Sequence, residues 1–260
     1  MNIVIIGSGN VATVMGGKIK EAGHTVGQIV GRSEAPAALL AGELKCTFTT
    51  DWRRINTAAD LYIVTLSDSS LVGLGGRLGL ADRLVVHTAG AVPRSVLSDV
   101  SRRNGVLYPL QSLRKEVRPF PEMPLLIDAA LPEDLTIIEA LARSISRHIA
   151  FADDDTRLKL HLSATVVNNF PNFLYTLTAD YCRSEKIPFS LLLPLIEETN
   201  RRLADYPPAE TQTGPAVRGD GLTIERHLHL LSNYQDIKEL YSLFTKKIEQ
   251  YYPSSRIPLS

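Results

Sequence analysis

Residues 2–12 read NIVIIGSGNVA, and this stretch decides the fold. The aliphatic run from Ile3 to Ile6 is typical of a parallel strand that is buried on both faces. Gly7, Gly9 and Ala12 follow it in the G-x-G-x-x-A spacing. The first glycine permits a tight turn, and the second lets the backbone approach a diphosphate. Ala12 is small enough for the following helix to pack closely on the strand.

The segment after this turn predicts a helix and then a second strand. Val11, Met15 and Ile19 recur at helical spacing, Gly23 stands where a helix C-terminal glycine belongs, and residues 24–30 continue as a strand. This order predicts a dinucleotide-binding βαβ unit in which the start of the helix faces the diphosphate. An ordinary βα turn, with glycine present for steric reasons, is the alternative. The predicted cofactor contacts are Gly7, Ser8, Gly9, Asn10, Val11 and Ala12.

The end of the second strand indicates which dinucleotide is bound. NAD-binding proteins usually carry an acidic residue here, about 20 residues past the glycines. This chain has Gly31, Arg32 and Ser33 instead. Arg32 can pair with a 2′-phosphate and Ser33 can donate a hydrogen bond to it, so the sequence predicts NADP(H). Alternatively, Arg32 is a solvated cation and Ser33 caps the next helix.

Composition excludes several classes of protein. The 260 residues are 44% hydrophobic and 22% charged, with 28 basic and 28 acidic residues, as in an average globular protein. The balanced charge gives no argument for a nucleic acid or an anionic membrane partner. Cys46 and Cys182 make no disulfide or metal framework, and no metal site is predicted. The first strand begins at residue 2, which leaves no room for a signal peptide, so we expect a cytoplasmic protein.

Alternating patterns continue through the first half of the chain and then stop. Further strands are predicted at residues 45–49, 61–66, 84–87, 105–108, 124–128 and 148–151, with helices at 33–44 and 133–147. Helices alone are predicted beyond them, at residues 154–184, 190–205, 222–231 and 236–251, with a loop over 206–221. The fold class is therefore α/β, with a doubly wound, mostly parallel sheet of Rossmann type followed by helices. We predict a cofactor domain over residues 1–152 and an all-helical substrate and dimerisation domain over 153–260.

Polar residues at two predicted strand ends are further candidates, because the carboxyl ends of such strands line the ligand crevice. Ser67 and Asp68 either lie along the cofactor or cap the next helix. Thr88, Ala89 and Gly90 follow the fifth strand, where small residues let a backbone approach a ligand.

Hydride transfer requires a proton donor, usually His, Lys or Tyr. His161, Thr165 and Asn168 fall at i, i+4 and i+7 and are predicted to share a helix face. His161 is the predicted proton donor and Asn168 the amide that orients the substrate, whereas Lys159 falls on a different face. His87, at the end of a strand, is the alternative acid. Each histidine also has a structural alternative, a satisfied interdomain contact for His161 and a loop-pinning hydrogen bond for His87.

Two residues are candidates for substrate contact, and one face is a candidate interface. Gln111 contacts substrate or caps a turn, and Arg218 clamps a carboxylate or phosphate or pairs with Asp220. Aromatic and aliphatic residues late in the chain are predicted to pack internally or to form a homodimer seam. They are Tyr234, Tyr241, Tyr251, Tyr252, Leu230, Leu231, Leu240 and Phe244.

Four stretches together resemble one bacterial family. They are residues 7–12, His87 to Gly90 (HTAG), Tyr108 to Gln111 (YPLQ) and residues 213–220 (TGPAVRGD). The family comprises Rossmann-like NADP oxidoreductases with a helical C-terminal domain of unknown function. It is similar in architecture to pyrroline-5-carboxylate reductase and to the 6-phosphogluconate dehydrogenase superfamily. The serine- and threonine-rich substrate loop of the former and the Lys-x-x-x-Asn motif of the latter have no match here.

The resemblance and the motifs together lead to one expected activity. We expect an NADP-dependent oxidoreductase that transfers a hydride between NADPH and a small carbonyl or imine compound. A protein that binds NADP(H) without turnover, as a sensor or an assembly partner, is the alternative.

Overall fold

The computed structural model describes residues 1–252 and divides the chain into two compact units, residues 1–168 and residues from 169 onward. The division falls later than the predicted boundary at residue 152, because the helix that starts at Asp154 packs with the first unit. Within residues 1–252, no helix has both the length and the apolarity needed to cross a bilayer.

The first unit is built on one eight-stranded sheet in the order β3-β2-β1-β4-β5-β6-β7-β8. All neighbouring pairs are parallel except β6 and β7. The predicted doubly wound, mostly parallel sheet is thereby confirmed. Its strands are β1 (Asn2–Ile6), β2 (Thr25–Val30), β3 (Thr47–Thr49), β4 (Leu61–Val64), β5 (Val85–His87), β6 (Asn104–Pro109), β7 (Leu125–Ala129) and β8 (Ile149–Phe151).

Alternate residues of the central strands belong to two hydrophobic cores, one on each face of the sheet. Ile3 and Ile5 of β1 join the core beneath the larger helices, whereas Val4 and Ile6 join the core on the opposite face. This arrangement explains the uninterrupted aliphatic run in the sequence, since both faces of β1 are covered. The helices of this unit are α1 (Asn10–Glu21), α2 (Glu34–Leu44), α3 (Asp68–Leu71), α4 (Pro132–Ile145) and α5 (Asp154–Ala164).

The second unit is helical throughout its described part, as the sequence predicts. Its helices are α6 (Phe170–Ser184), α7 (Leu193–Arg202), α8 (Pro215–Arg218), α9 (Gly221–Leu230) and α10 (Gln235–Tyr251). Tyr234 stacks edge-on against Tyr181, with the ring centroids 4.9 Å apart. Tyr241 accepts or donates a 2.9 Å hydrogen bond with Nδ1 of His227. These tyrosines therefore pack within the unit.

The prediction of one continuous helix over residues 154–184 is wrong in one respect. A π-helical segment, Thr165–Asn169, separates α5 from α6. Pro171 explains its position, because proline has no N–H for a hydrogen bond to the residue four places earlier and its ring clashes with that carbonyl. The wider π turn changes the angular spacing of the residues, so the simple helical spacing that placed Asn168 on the face of His161 does not hold.

Candidate functional site

The carboxyl ends of the central strands meet at one edge of the sheet, where the strand order reverses between β1 and β4. Short backbone hydrogen bonds hold these ends together: the Gly7 amide donates to the Val30 carbonyl at 2.8 Å, and the Thr65 amide to the Ile6 carbonyl at 2.8 Å. In open α/β sheets, ligands bind at such a switch point.

The two glycines of the turn meet different steric demands. Gly7 has φ +132°, and a Cβ there would lie 2.2 Å from Oγ1 and 2.9 Å from the carbonyl oxygen of Thr65. Gly7 is therefore required for the close approach of β1 and β4. A Cβ on Gly9 would meet no atom within 4 Å. The space in front of Gly9 is open, as a ligand that approaches the backbone requires.

Helix α1 begins directly behind this open space. Gly9 is its N-cap residue and offers no side-chain cap, and the first turn holds no acidic residue. The first helical amide to find a backbone partner is that of Thr13, which donates to the Gly9 carbonyl at 3.0 Å. The N–H groups ahead of Thr13 and the positive end of the helix dipole suit a diphosphate group. The residues present thus fit a dinucleotide.

Arg32 and Ser33 lie exposed after β2, next to this turn. Ser33 is the N-cap residue of α2, but its hydroxyl makes no capping hydrogen bond, so the hydroxyl is not committed to the helix. Glu34, the nearest carboxylate in sequence, lies in the first turn of α2. We call residues 7–12 and 31–33 the glycine-loop region.

A pair of rings lies at the end of β6. The hydroxyl of Tyr108 is 2.9 Å from Nδ1 of His161 on α5, and the ring centroids are 5.9 Å apart at an interplanar angle of 67°. Gly90 lies against both rings, since a Cβ there would be 2.5 Å from Nδ1 of His161 and 2.8 Å from Cζ of Tyr108. We call residues 88–90, 108 and 161 the Tyr108–His161 region.

Burial raises the pKa of the Tyr108 hydroxyl, and the negative charge of Asp68 raises it further, against an opposing effect of Arg157. The phenol therefore keeps its proton at neutral pH. Asp68, the first residue of α3, is thus electrostatically coupled to Tyr108. Ser67 precedes it, with its Oγ 2.8 Å from Oγ of Ser70. Both Ser67 and Asp68 are exposed.

His87 is completely buried at the end of β5. Its Nδ1 accepts a 3.2 Å hydrogen bond from the Ala89 amide. Burial first, and the charge of Arg157 second, lower the pKa of His87 to about 4. The imidazole is neutral at physiological pH and holds the Thr88–Gly90 turn in place. This geometry favours the loop-pinning role over the role of alternative acid.

Helix α5 is tied to the loop after β5 by a buried arginine that the sequence interpretation overlooked. Arg157 is 1% exposed, and its Nη2 donates to the Val92 carbonyl and to Oδ1 of Asp154, both at 2.6 Å. The same Asp154 oxygen accepts from the Arg94 amide at 2.8 Å. Arg157 lies one helical turn before His161, so this anchor fixes the start of the helix that carries His161.

The remaining predicted site residues, Asn168, Gln111 and Arg218, are all exposed. Asn168 is exposed within the π-helical segment. Gln111 braces its own loop, because its Nε2 donates to the Glu122 carbonyl and its Oε1 accepts from the Ser112 amide. Arg218, exposed at the end of α8, belongs to the second unit. Asp220 caps α9 by accepting from the Thr223 amide at 3.1 Å, and the structure shows no ion pair between it and Arg218 within residues 1–252.

No role for Tyr108 follows from the sequence interpretation, although Tyr108 is part of the quoted YPLQ stretch. The available signal was its place at the carboxyl end of a parallel strand, the same rule that selected Asp68 and Gly90. The contact between Tyr108 and His161 spans 53 residues. A single sequence gives no information about such a pairing.

Comparison with known proteins agrees with this architecture. A family model described as a domain of unknown function, DUF2520, matches residues 123–248. A solved structure from Bacteroides fragilis, of a protein described as a proposed NADP oxidoreductase, is 36% identical to this chain. The match covers 96% of this chain and 98% of that one, with a TM-score of 0.90. No curated protein matches the chain.

Two more distant structures share the fold. An imine reductase from Pseudomonas sp. is 13% identical over 96% of this chain and 94% of its own, with a TM-score of 0.68. A reductive aminase from Aspergillus terreus, solved in complex with NADPH and ethyl-5-oxohexanoate, is 16% identical over 97% of this chain and 95% of its own, with a TM-score of 0.70.

The fold and the glycine loop define the class, a Rossmann-type protein with a helical C-terminal unit. Within that class, the chain belongs to the family of Rossmann-like NADP oxidoreductases that carry the DUF2520 helical domain. The resemblance inferred from the four sequence stretches is thereby confirmed.

Proposed function

We propose that this protein is an NADP(H)-dependent oxidoreductase that transfers a hydride between NADPH and a small carbonyl or imine substrate. The observation that carries the proposal is the position of Gly90, which packs against Tyr108 and His161 at the edge of the sheet where α1 begins. The start of α1, which we assign to the cofactor, thus lies at the same edge of the first unit as Tyr108 and His161. We call these two hydrogen-bonded residues the acid pair.

The glycine-loop region supplies the cofactor contacts in this proposal. The backbone of residues 7–12 would hold the diphosphate, and Arg32 with Ser33 would hold the 2′-phosphate that distinguishes NADPH from NADH. The name of the Bacteroides relative supports the choice of NADP(H). NADPH, when bound, supplies the hydride. Everything else that the reaction needs must come from the protein and the substrate.

Tyr108 and His161 would supply the proton. The phenol keeps its proton because its pKa is raised, so it donates to Nδ1 of His161. A neutral imidazole that accepts at Nδ1 carries its own proton at Nε2. We assign this Nε2 proton to the developing alkoxide or to the imine nitrogen as the substrate is reduced. The Tyr108 proton moves to Nδ1 in the same step, so the imidazole stays neutral, and the tyrosinate that is left takes a proton from solvent. Arg157 and His87 hold the helix and the turn that keep the two rings in place.

The substrate class is inferred from the proteins that share the fold. The fold is shared with an imine reductase and with a reductive aminase. Both names describe reduction of a C=N bond, and a carbonyl is the oxygen counterpart of the same acceptor. We therefore keep imines and carbonyl compounds together in the proposal.

The decisive experiment follows NADPH absorbance with purified protein and a panel of cyclic imines, ketones and ketones mixed with amines. We expect consumption of NADPH with at least one member and a loss of turnover in His161→Gln. Steady binding of NADPH without any turnover would instead support the sensor alternative. Turnover that survives both His161→Gln and Tyr108→Phe would contradict the assignment of the acid pair.

We also propose that the protein is a cytoplasmic homodimer formed through its helical unit. Large apolar side chains on that unit are exposed, among them Leu230, Phe244 and Tyr251. An exposed apolar surface of this kind marks an interaction site in many proteins. Sedimentation or light scattering should give twice the chain mass, and a monomer at micromolar concentration would contradict the proposal.

A further inference from the structure

The connection between β6 and β7 is much longer than antiparallel neighbours require, since such strands can be joined by two residues. Residues 110–124 make this connection. We call residues 112–122 the strap. Connections of this length in compact units are usually functional or disordered. This one is tied down at several points, which favours a function.

The strap is fastened to the start of the cofactor-binding unit. Leu113 is buried in the hydrophobic core. Phe120 lies against α1, where a Cβ on Gly17 would be 2.2 Å from the Phe120 ring. The Lys115 amide donates a 3.4 Å hydrogen bond to Oδ1 of Asn10, the first residue of α1. The strap therefore brings Lys115 beside the helix start that faces the diphosphate.

A surface groove joins Lys115 to the glycine-loop region. Its lining includes Ser8, the apolar side chains of Pro36 and Leu39 on α2, and the charged groups of Glu43, Lys115 and Glu116. Ser8 also borders the end of β2, because a Cβ on Gly31 would lie 3.6 Å from Oγ of Ser8. One lining residue of the groove, Ser8, therefore lies next to the segment that holds Arg32 and Ser33.

Both glutamates of the groove pair with arginines and not with Lys115. Glu43 pairs with Arg118 at 3.8 Å, and Glu116 pairs with Arg114 at 3.7 Å. Within residues 1–252, Nζ of Lys115 has neither a hydrogen-bond nor an ion-pair partner. Glu34, at the start of α2, would offset the charge of Arg32. A phosphate dianion near Arg32 therefore needs a second cation, and Lys115 is the one that the strap provides.

We propose that Lys115 is a cofactor-specificity residue that pairs with the 2′-phosphate of NADPH together with Arg32. The strap follows β6, which lies on the opposite side of β1 from β2 in the sheet, and it brings this cation to the groove beside Ser8. This inference rests on the proposed binding of NADP(H). It adds a contact to that binding which lies outside the βαβ unit and more than 80 residues after Arg32 in the sequence.

Calorimetric titration of Lys115→Gln with NADPH and with NADH tests the proposal directly. The dissociation constant for NADPH should rise about tenfold, as expected for the loss of one charge-assisted contact. The constant for NADH should stay within about twofold, because NADH lacks the phosphate. Arg83→Gln is the matched control. It removes one positive charge from the exposed segment before β5, at the amino end of the strands, and should change neither constant.

Two results would overturn the role of Lys115. Equal weakening of NADPH and NADH would place Lys115 on the diphosphate that both cofactors share. Unchanged binding of both would place the lysine in solvent. If the unaltered protein itself bound neither nucleotide, the proposed function would fail instead, so the two failures are distinguishable. Circular dichroism of the variant verifies that it is folded, and the exposed position of Lys115 makes this the expected result.

Discussion

In the glycine-loop region, the start of α1 and the Ser33 hydroxyl form no capping hydrogen bonds, whereas in the Tyr108–His161 region the two side chains bind each other. The start of α1 has no side-chain cap, and the Ser33 hydroxyl makes no capping bond. Tyr108 and His161, in contrast, are joined at 2.9 Å, and α5 is anchored through Arg157. The difference teaches that binding needs donors held ready for a ligand, whereas proton transfer needs side chains that hold one another in position.

The largest expected difference between the two regions comes from substituting His161 or Tyr108, which should lower turnover and leave cofactor binding unchanged. In His161→Gln and Tyr108→Phe, kcat should fall about 10²- to 10⁴-fold, the range of general acid catalysis, with the dissociation constant for NADPH unchanged. Steady-state kinetics and calorimetry on the same preparations measure both quantities. Lys159→Gln is a control on the same helix, because Lys159 is exposed and pairs with Asp155. Loss of NADPH binding in His161→Gln would show that the two regions are not separate.

The buried imidazole of His87, which holds the turn beside Tyr108 and His161, should make the free energy of unfolding depend on pH. His87 has a folded-state pKa of about 4, below its ordinary 6.5, so the unfolded chain binds a proton first as the pH falls. Stability from this group is complete above pH 6.5 and is lost as the pH falls to about 4, by about 3 kcal/mol.

Urea unfolding of His87→Asn against the unaltered protein at several pH values measures this effect. Asn offers an acceptor for the Ala89 amide but does not titrate, so the variant should lose the pH dependence that His87 contributes between pH 6.5 and 4. His229→Asn, at an exposed histidine, is the control and should keep the original dependence. Identical pH profiles for His87→Asn and the unaltered protein would contradict the buried neutral state of His87.

Matched glycine substitutions test the contrast between filled and open space. An added Cβ at Gly90 would collide with both rings, so Gly90→Ala should displace the pair and lower kcat by about 10²-fold, the effect of a displacement of about 1 Å. Gly9→Ala meets no protein atom within 4 Å, so it should unfold at the same temperature as the unaltered protein while binding NADPH more weakly. Normal turnover in Gly90→Ala would show that the ring contact is not required.

Charge at the end of β2 should produce the smallest of these effects. Arg32→Gln should raise the dissociation constant for NADPH about tenfold and leave that for NADH nearly unchanged. Fluorescence titration of NADPH and NADH measures both. Arg53→Gln, at an exposed arginine after β3, is the control. Equal changes for the two nucleotides would remove Arg32 from the 2′-phosphate.

The strand, turn and helix of the glycine-loop region are predicted from the sequence because they are local. Strand, turn and helix succeed one another within residues 2–21, so one short stretch of sequence contains the whole pattern. The Tyr108–His161 region is not local. Its members come from β5, β6 and α5, and the helical spacing that selected His161 cannot anticipate the π-helical segment before Pro171. The buried Arg157 escaped notice for the same reason, since its partner Val92 lies 65 residues away.

The central claim is that the uncapped start of α1 and its glycine turn bind NADP(H), and that they prefer the phosphorylated nucleotide. Isothermal calorimetry of the unaltered protein with NADPH and with NADH tests it most directly. We expect saturable binding of NADPH at micromolar concentrations and binding of NADH at least about tenfold weaker. Absence of heat with both nucleotides, or tighter binding of NADH, would contradict it.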